Sequence, residues 1–224
     1  MSASERFERY LDYLRKKTDI TEHEQYIVIQ FYKAHFCHQL CDHCLNLEHS
    51  RHWQEQALCY YQNYLEVSNR LDESRYYAQW QVGMLQDVLN YPWCQAEDSL
   101  LKALNIDPLR AEPLKKLVDH YMRAKQWKIA YSFSAKTLNE HFDRNPVANR
   151  RWFIDFDAYN WNVVNKHCAI CYKLGYLAEA EKTYNLMMQY ELQHLDEFKA
   201  SDIRHIHILE KIFHASRPAL ATAS

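Results

Sequence analysis

Apolar residues recur every three or four positions along most of the chain, the spacing that places them on one face of an α-helix. Leu114, Leu117 and Tyr121 form one such stripe. Glycine occurs only 2 times and proline 5 times among the 224 residues, so few positions interrupt the helical pattern. A fold built of strands needs turn residues about every 8–12 positions. The sequence therefore predicts an all-α protein.

The helical pattern also repeats in the middle of the chain. Trp93 recurs as Trp127, and Ala96 recurs as Ala130, each after 34 residues. A fixed period of this length is typical of helix–turn–helix units that stack side by side, each burying its apolar face against the next. We therefore predict a right-handed α-α superhelix, a solenoid that forms a single domain over residues 1–224.

The apolar stripes and the breakers divide this predicted domain into segments. Four repeats are expected, at residues 38–69, 75–108, 111–140 and 157–190. A terminal repeat has no neighbour to cover its apolar face, so capping helices are expected at both ends. The remaining segments are N-terminal capping helices over 1–37, an ordered insertion over 141–156 and a C-terminal capping helix over 192–214.

Several local signals indicate where helices begin and end. Thr21 and Glu24 form a capping-box pattern that begins a helix. The stretch that follows, to about His49, has neither glycine nor proline. It is either one unusually long helix or two helices that meet near His35–Cys37, and we favour the break. The first repeat is expected to turn at Arg51–Trp53. Asp157 is expected to be the N-cap of the last repeat.

The two glycines have different predicted roles. Gly83 lies midway along a predicted first helix, where a small side chain allows a close crossing with the helix that carries Ala96. Gly175 follows the last residue of a predicted helix, the position at which glycine commonly ends one.

A resemblance to a known family rests on a small set of these residues. They are the small Gly83, Trp93-x-x-Ala96, Trp127-x-x-Ala130, Gly175 before Leu177-x-x-Ala180, and Asp107-Pro108 after a repeat. Over about residues 38–190 the chain resembles tetratricopeptide repeats. The resemblance implies a superhelix whose concave wall is lined by the first helix of each repeat.

A narrower resemblance covers about residues 75–190. Its motifs are Arg110–Leu114, Ala130-Tyr131, Phe153-Ile154, Asp157-x-Tyr159-x-Trp161 and Tyr172-x-x-Gly175-Tyr176-x-x-Glu179-Ala180. These look like the repeats found C-terminal to bacterial and viral family-2 glycosyltransferases. The chain has no nucleotide-sugar domain, so the resemblance implies an association with glycan-modifying machinery and no transferred activity.

Helical spacing places a set of aromatic, amide and charged side chains and one methionine on the predicted concave wall. They are Tyr77, Trp80, Met84, Lys115, Asp119, Arg123, Asn165 and Tyr172. Exposed aromatic residues would anchor a bound peptide, and Lys115 and Arg123 would contact its acidic groups. We predict a non-catalytic module that binds a peptide or partner protein. Two alternatives stay open: the aromatic stripe packs onto flanking helices, or the exposed aromatics serve a homodimer.

Cysteine and histidine are concentrated between His35 and His52, where Cys41-x-x-Cys44 has a spacing used for zinc. Cys37, Cys41 and Cys44 also have the spacing of a buried helical stripe, in which cysteine behaves as a small apolar residue. We favour the buried stripe and predict no metal site, with zinc as the alternative.

Other catalytic patterns are weak. Asp155-x-Asp157 resembles the metal-binding pair of nucleotide-sugar enzymes, but Asp157 has its alternative role as a helix cap. No Ser/His/Asp or Cys/His pattern stands out, and two glycines are too few to build a phosphate-binding loop. We therefore predict no cofactor and no enzymatic activity.

Composition narrows the class of partner. A net charge of −2 gives no basic excess, so nucleic acid is not expected as a partner. No apolar run is long enough to span a bilayer and the first residues lack a signal core, so we expect no membrane partner. Seven scattered cysteines do not suggest a disulfide framework, and we predict a reducing, cytoplasmic location.

Overall fold

A computed structural model of the chain describes residues 21–42, 44, 46–69, 72–142 and 153–193, with the single positions 9, 12, 13 and 16. All regular secondary structure in these residues is helical, which confirms the all-α prediction. The α-helices are α1 Glu22–Asp42, α2 Leu47–Val67, α3 Glu73–Val88, α4 Trp93–Ile106, α5 Glu112–Arg123, α6 Trp127–His141, α7 Trp161–Leu174 and α8 Leu177–Gln193. A 3-10 helix, Phe156–Ala158, precedes α7.

The chain divides into two compact units. The first contains the described residues of 1–113 and 147–154, and the second contains those of 114–146 and 155–224. In the first unit α2 packs against both α1 and α3, and α3 packs against α4. In the second unit α7 packs against both α6 and α8. The helices that pack together within each unit are therefore consecutive in sequence.

Helix α1 is continuous from Glu22 to Asp42, so the break predicted near His35–Cys37 is wrong. The predicted capping box at its start is confirmed: the Thr21 N–H donates to the Glu24 carboxylate, and the Glu24 N–H donates to Thr21 Oγ1. Buried residues continue along α1 through the predicted break, namely Phe31, Ala34, Cys37 and Cys41. An unbroken buried stripe favours an unbroken helix.

Helix α2 begins earlier than predicted. The Asn46 side chain accepts a hydrogen bond of 2.8 Å from the Glu48 N–H and caps the helix. Arg51–Trp53 therefore lies inside α2 and not at a turn. The predicted first repeat, 38–69, joins the end of α1 to α2, so its boundaries are wrong, and α1 with α2 is the actual helix pair.

The later repeats agree better with the helices. Residues 75–108 correspond to α3 and α4, residues 111–140 to α5 and α6, and residues 157–190 to α7 and α8. The role predicted for Gly83 is confirmed, because a Cβ there would lie 2.8 Å from Leu100 Cγ and 3.0 Å from the Ala96 carbonyl oxygen. The role of Gly175 is confirmed too: it ends α7 with a φ of 77° in the left-handed region.

The second unit has its own apolar core between α7 and α8. Its buried members are Val164, Cys168, Cys171, Ala180, Tyr184 and Met187. The N-cap of α7 is Asn160, whose side chain accepts a hydrogen bond of 3.1 Å from the Asn162 N–H. Asp157 lies in the preceding 3-10 helix, which Asp155 caps, so the prediction of Asp157 as the cap of this repeat is wrong.

Three predicted segments lie partly outside the described residues. Of the N-terminal capping segment 1–37, the structure describes the first part of α1 and a few isolated positions. Of the insertion 141–156 it describes 141–142 and 153–156, and of the C-terminal capping helix 192–214 only 192–193, which end α8. In the part of the chain that is described, no helix combines the length and apolarity needed to cross a bilayer.

Candidate functional site

The predicted aromatic anchors of α3 are buried. Tyr77 is 7% exposed and Trp80 is 8% exposed, so the expectation that they face solvent is wrong. The ring of Tyr77 stacks on Phe153 with centroids 4.1 Å apart and meets the edges of Phe31 and Trp80. The alternative in which this stripe packs onto neighbouring segments is confirmed for these two residues. Met84, on the same helix, is half-buried.

The predicted charged residues of α5 form ion pairs within the second unit. Lys115 Nζ lies 2.7 Å from Asp155 Oδ2 and 3.7 Å from Asp157 Oδ2. Asp119 Oδ1 lies 2.6 Å from Lys166 Nζ on α7. These pairs are partly exposed, with Lys115 at 19% and Asp119 at 36%. The predicted cation and anion of α5 therefore already have partners in the protein.

Three further predicted wall residues lie on α5 and α7. The Arg123 Nε donates to the Asp119 backbone oxygen at 3.3 Å. On α7, Asn165 is half-buried and Tyr172 is exposed at 38%. These two residues are seven apart, so they lie on the same face of α7. The structure thus leaves Tyr172 as the exposed aromatic residue of the predicted set.

The Cys/His segment predicted as a buried stripe lies partly on α1. Cys37 and Cys41 are buried, and the Cys41 thiol donates to the Cys37 carbonyl at 3.2 Å, which confirms the stripe for these two residues. Burial raises the pKa of Cys37 to about 11, although the positive charge of nearby Lys33 acts in the opposite direction. Cys44 is half-buried and follows the end of the helix.

A hydrogen-bonded cluster of five side chains joins α6, α7 and α8. His167 Nδ1 lies 2.8 Å from Ser134 Oγ, and His167 Nε2 lies 3.1 Å from Glu179 Oε1. Cys171 Sγ lies 3.4 Å from the same His167 Nε2. The Tyr131 hydroxyl donates to Glu179 Oε2 at 2.9 Å. The ligand atoms of His167, Cys171 and Glu179 all lie within 4.8 Å of one another.

The surroundings of this cluster shift the protonation of its members. Burial lowers the pKa of His167, although the neighbouring Glu179 acts in the opposite direction. Burial, with the charge of Glu179, raises the pKa of Cys171 to about 12. The hydrogen bond to Glu179 raises the pKa of Tyr131 to about 12. At neutral pH the cluster therefore holds a neutral imidazole, a thiol and a phenol beside Glu179.

A cavity of about 340 Å³ adjoins the cluster in the second unit. His167 and Glu179 belong both to the cluster and to the cavity wall. Most of the other lining side chains are polar, and they include Asn139, Lys182, Thr183 and Gln189. The cluster therefore borders a recess on one side.

Comparison with known proteins assigns no family. No protein-family model matches the sequence, and no curated protein is significantly similar to it. The tetratricopeptide likeness therefore rests on the residues quoted for it, and function is inferred from the side chains themselves.

The cluster is absent from the set of residues predicted from the sequence. Cys171 had the spacing of an apolar stripe, and it does contribute to the apolar core. A signal was present, because His167 and Cys171 are four residues apart on one helical face. Glu179 is brought to them by the turn at Gly175 between α7 and α8, a juxtaposition that spacing along one helix does not reveal.

Proposed function

We propose that the protein is a non-catalytic interaction module that binds a peptide or partner protein through the surface of α5 and α7. This contact surface consists of Lys115, Asp119, Arg123, Asn165, Lys166 and Tyr172. The observation that carries the proposal is the combination on α5 and α7 of two partly exposed ion pairs with an exposed aromatic side chain. The resemblance to tetratricopeptide repeats supports the same role.

The ion pairs of this surface can be replaced by ion pairs with a partner. Ion pairs that water can reach contribute about 0–1 kcal/mol to stability, because water screens the charges. In these two pairs the carboxylates are the more exposed partners, Asp155 at 33% and Asp119 at 36%. An acidic group of a partner can therefore replace Asp155 beside Lys115 at little cost. Tyr172 offers a large apolar area with a polar tip, a residue type that is enriched among the strongest contacts of interfaces.

The test is affinity purification with chemical crosslinking under native conditions, followed by mass spectrometry. Lys115→Glu and Tyr172→Ala should each release the partner that wild type retains. Lys102→Glu is the matched control, because Lys102 is an exposed lysine of α4 paired with Asp98 in the first unit. Crosslinks should map to lysines of α5 and α7. Equal retention by both surface variants and the control would show that the contact surface is wrongly assigned.

An accessory role beside a glycosyltransferase is the second candidate. It is favoured by the contact between two motifs of the narrower resemblance: Arg110 Nη2 donates to the Phe153 carbonyl at 2.9 Å. Residues that form one structural cluster are expected to occur together in related repeats. The check is to read neighbouring genes for a nucleotide-sugar domain and to test co-purification with its product. Absence of both would remove this candidate.

A further inference from the structure

Three side chains of different ligand type converge between α7 and α8. They offer an imidazole nitrogen from His167, a sulfur from Cys171 and a carboxylate oxygen from Glu179. We propose that these three residues bind a divalent cation, and that zinc(II) is the cation that suits them best. Zinc accepts nitrogen, sulfur and oxygen ligands in one tetrahedral site, whereas magnesium and calcium require oxygen ligands.

The distances fit such a site after small adjustments. Zinc lies about 2.0–2.1 Å from nitrogen and about 2.3 Å from sulfur, so the ligand atoms of a tetrahedron are roughly 3.3–3.7 Å apart. His167 Nε2 lies 3.4 Å from Cys171 Sγ and 3.1 Å from Glu179 Oε1. The first distance already fits, and moving the Glu179 carboxylate by a few tenths of an ångström would bring the second into the range. The third distance, between Cys171 Sγ and the Glu179 carboxylate, lies within 4.8 Å, and the same side chain can shorten it by rotation.

The groups behind the ligands orient them for a metal. Ser134 Oγ lies 3.1 Å from the Tyr131 carbonyl oxygen and 2.8 Å from His167 Nδ1. In the metal-bound form the cation takes the place of any proton on His167 Nε2, so the imidazole proton lies on Nδ1. Ser134 Oγ then accepts a hydrogen bond from His167 Nδ1–H and donates its single proton to that carbonyl. His167 Nε2 then carries a lone pair, directed to the side where Cys171 and Glu179 lie. Histidine ligands of metals are commonly held in this way by a second hydrogen bond.

Glu179 is oriented in a similar manner. The Tyr131 hydroxyl donates to Glu179 Oε2 at 2.9 Å, and Oε1 is the oxygen nearest His167 Nε2. The same hydroxyl also lies 3.0 Å from Oε1. When its single proton is donated to Oε2, the lone pairs of Oε1 are left for the proposed cation. Each of these two ligands has a partner on α6, a helix that contributes no ligand itself.

The charges of the proposed complex balance. On binding, the Cys171 thiol loses its proton to solvent and a sulfur–metal bond forms in its place. A dication with one thiolate, one carboxylate and a neutral imidazole has no net charge. A neutral complex is suited to this place, where His167 is 1% exposed and Cys171 is fully buried, because an uncompensated charge is costly to bury.

A cation can reach the three ligands from solvent. The Glu179 side chain is 39% exposed, and both Glu179 and His167 line the cavity of about 340 Å³. Three protein ligands leave one position of a tetrahedron for water or a small ligand. A bound metal would also link α7 to α8 across the turn at Gly175, so binding should stabilise the folded chain.

The first test is calorimetric titration of the full chain, stripped of metal by a chelator, with zinc chloride. Wild type should bind one zinc ion. Glu179→Gln and Cys171→Ser should each raise the dissociation constant at least about tenfold, and Ser134→Ala should raise it about tenfold through the imidazole. Cys59→Ser is the matched control, because Cys59 is an exposed cysteine of the first unit. Its affinity should equal that of wild type.

The second test needs no substitution in the cluster. Cobalt(II) added to the metal-free wild-type chain should produce the near-ultraviolet charge-transfer band of a thiolate–cobalt bond. The band should persist in Cys59→Ser and disappear on addition of excess zinc. A wild-type chain without this band, or a Cys171→Ser variant that binds zinc as tightly as wild type, would overturn the proposal and leave the cluster as a hydrogen-bonded link among three helices.

Discussion

Arg110 and Glu112 form a buried ion pair in which Arg110 Nη2 lies 2.9 Å from Glu112 Oε1 and both side chains are inaccessible to solvent. Arg110 also contacts Glu73 at 3.1 Å and the Phe153 carbonyl oxygen at 2.9 Å. Its guanidinium lies 4.5 Å from the ring centre of Tyr76, whose hydroxyl donates to Glu112. One buried cation therefore connects α3, the residues before α5 and the segment at Phe153.

Replacing Arg110 by methionine should destabilise the protein strongly. The substitution leaves the Glu112 carboxylate buried without its cation, and breaking a buried pair in this way costs about 3–5 kcal/mol. The measurement is the free energy of unfolding in urea, followed by circular dichroism. Lys102→Met is the control, because the Lys102–Asp98 pair is well exposed, at 60% and 59%. It should change stability by less than about 1 kcal/mol. Similar losses in both variants would contradict the role of the buried pair.

Gly83→Ala should destabilise the first unit although alanine is the better helix former. A Cβ at Gly83 would lie 2.8 Å and 2.9 Å from Leu100 Cγ and Cδ2 and 3.0 Å from the Ala96 carbonyl oxygen, so the Leu100 side chain or the two helices must shift. Overpacking typically costs about 1–3 kcal/mol, and over most of that range the cost is larger than the helix-propensity gain of about 1 kcal/mol. Thermal unfolding measures the balance, and a rise in melting temperature would contradict the close crossing.

Gly175→Ala should also lower the melting temperature, but for a different reason from Gly83→Ala. No atom lies within 4 Å of a Cβ built at Gly175, so there is no clash. The cost comes from the φ of 77°, a left-handed conformation that costs roughly 1–2 kcal/mol for residues with a side chain. Gly175→Asn should recover part of this loss, since asparagine tolerates that conformation, whereas Gly83→Asn should recover nothing.

Trp80→Ala and Tyr172→Ala should separate folding from binding. Trp80 is 8% exposed and Tyr172 is 38% exposed. Truncating the buried tryptophan should cost about 3–5 kcal/mol of unfolding free energy, whereas the exposed tyrosine should cost less than about 1 kcal/mol. Loss of partner binding in Tyr172→Ala at unchanged stability would therefore report on the surface. A stable Trp80→Ala variant would contradict the observed burial.

His35 should make the first unit less stable in mild acid. Burial, with the charge of neighbouring His38, lowers the pKa of His35 below its ordinary 6.5. The unfolded chain therefore takes up this proton first, so stability is complete above that value and falls as pH drops towards the folded-state pKa. The unfolding free energy of wild type should decrease more between about pH 7.5 and about pH 5.5 than that of His35→Phe. Equal decreases would show that His35 stays exposed to protons in the folded chain.

The helix pairs from α3 onward could be predicted because breakers and the repeat period mark their turns. Pro92 precedes α4 and Gly175 ends α7, and both residues can be recognised in the sequence as helix boundaries. Helix α1 has no such marker. Its buried stripe shows that the helix is continuous, but which residues are buried is known only from the packing. The capping role of Asn46 was likewise obscured, since a polar residue inside a helical pattern is not by itself a boundary.

The surface was harder to predict than the helices. Spacing places Tyr77 and Trp80 on one side of α3, but it does not say what covers that side. Phe153, from a segment distant in sequence, stacks on Tyr77 and helps to bury it. The same reason hides the cluster at His167, whose partner Glu179 belongs to the following helix. Periodicity predicts which residues share a face of a helix, whereas contacts between helices determine which faces are buried and which stay exposed.

Cysteine reactivity should distinguish the exposed thiols from the buried ones. Cys59 and Cys94 are exposed, whereas Cys37, Cys168 and Cys171 are buried. Burial raises the pKa of Cys37 to about 11 and that of Cys168 to about 12, and the thiolate is the reactive form. In the native chain, iodoacetamide should therefore modify Cys59 and Cys94 more than about a hundredfold faster than Cys168.

Peptide mass spectrometry after timed alkylation gives the rate at each position, and the urea-unfolded chain is the control in which all thiols should react alike. Rapid modification of Cys168 in the native chain, at the rate of Cys59, would mean that α7 and α8 separate readily. The apolar core of the second unit could not then be as closed as its buried residues indicate, because a thiol reaches the reagent only when the helices that cover it open.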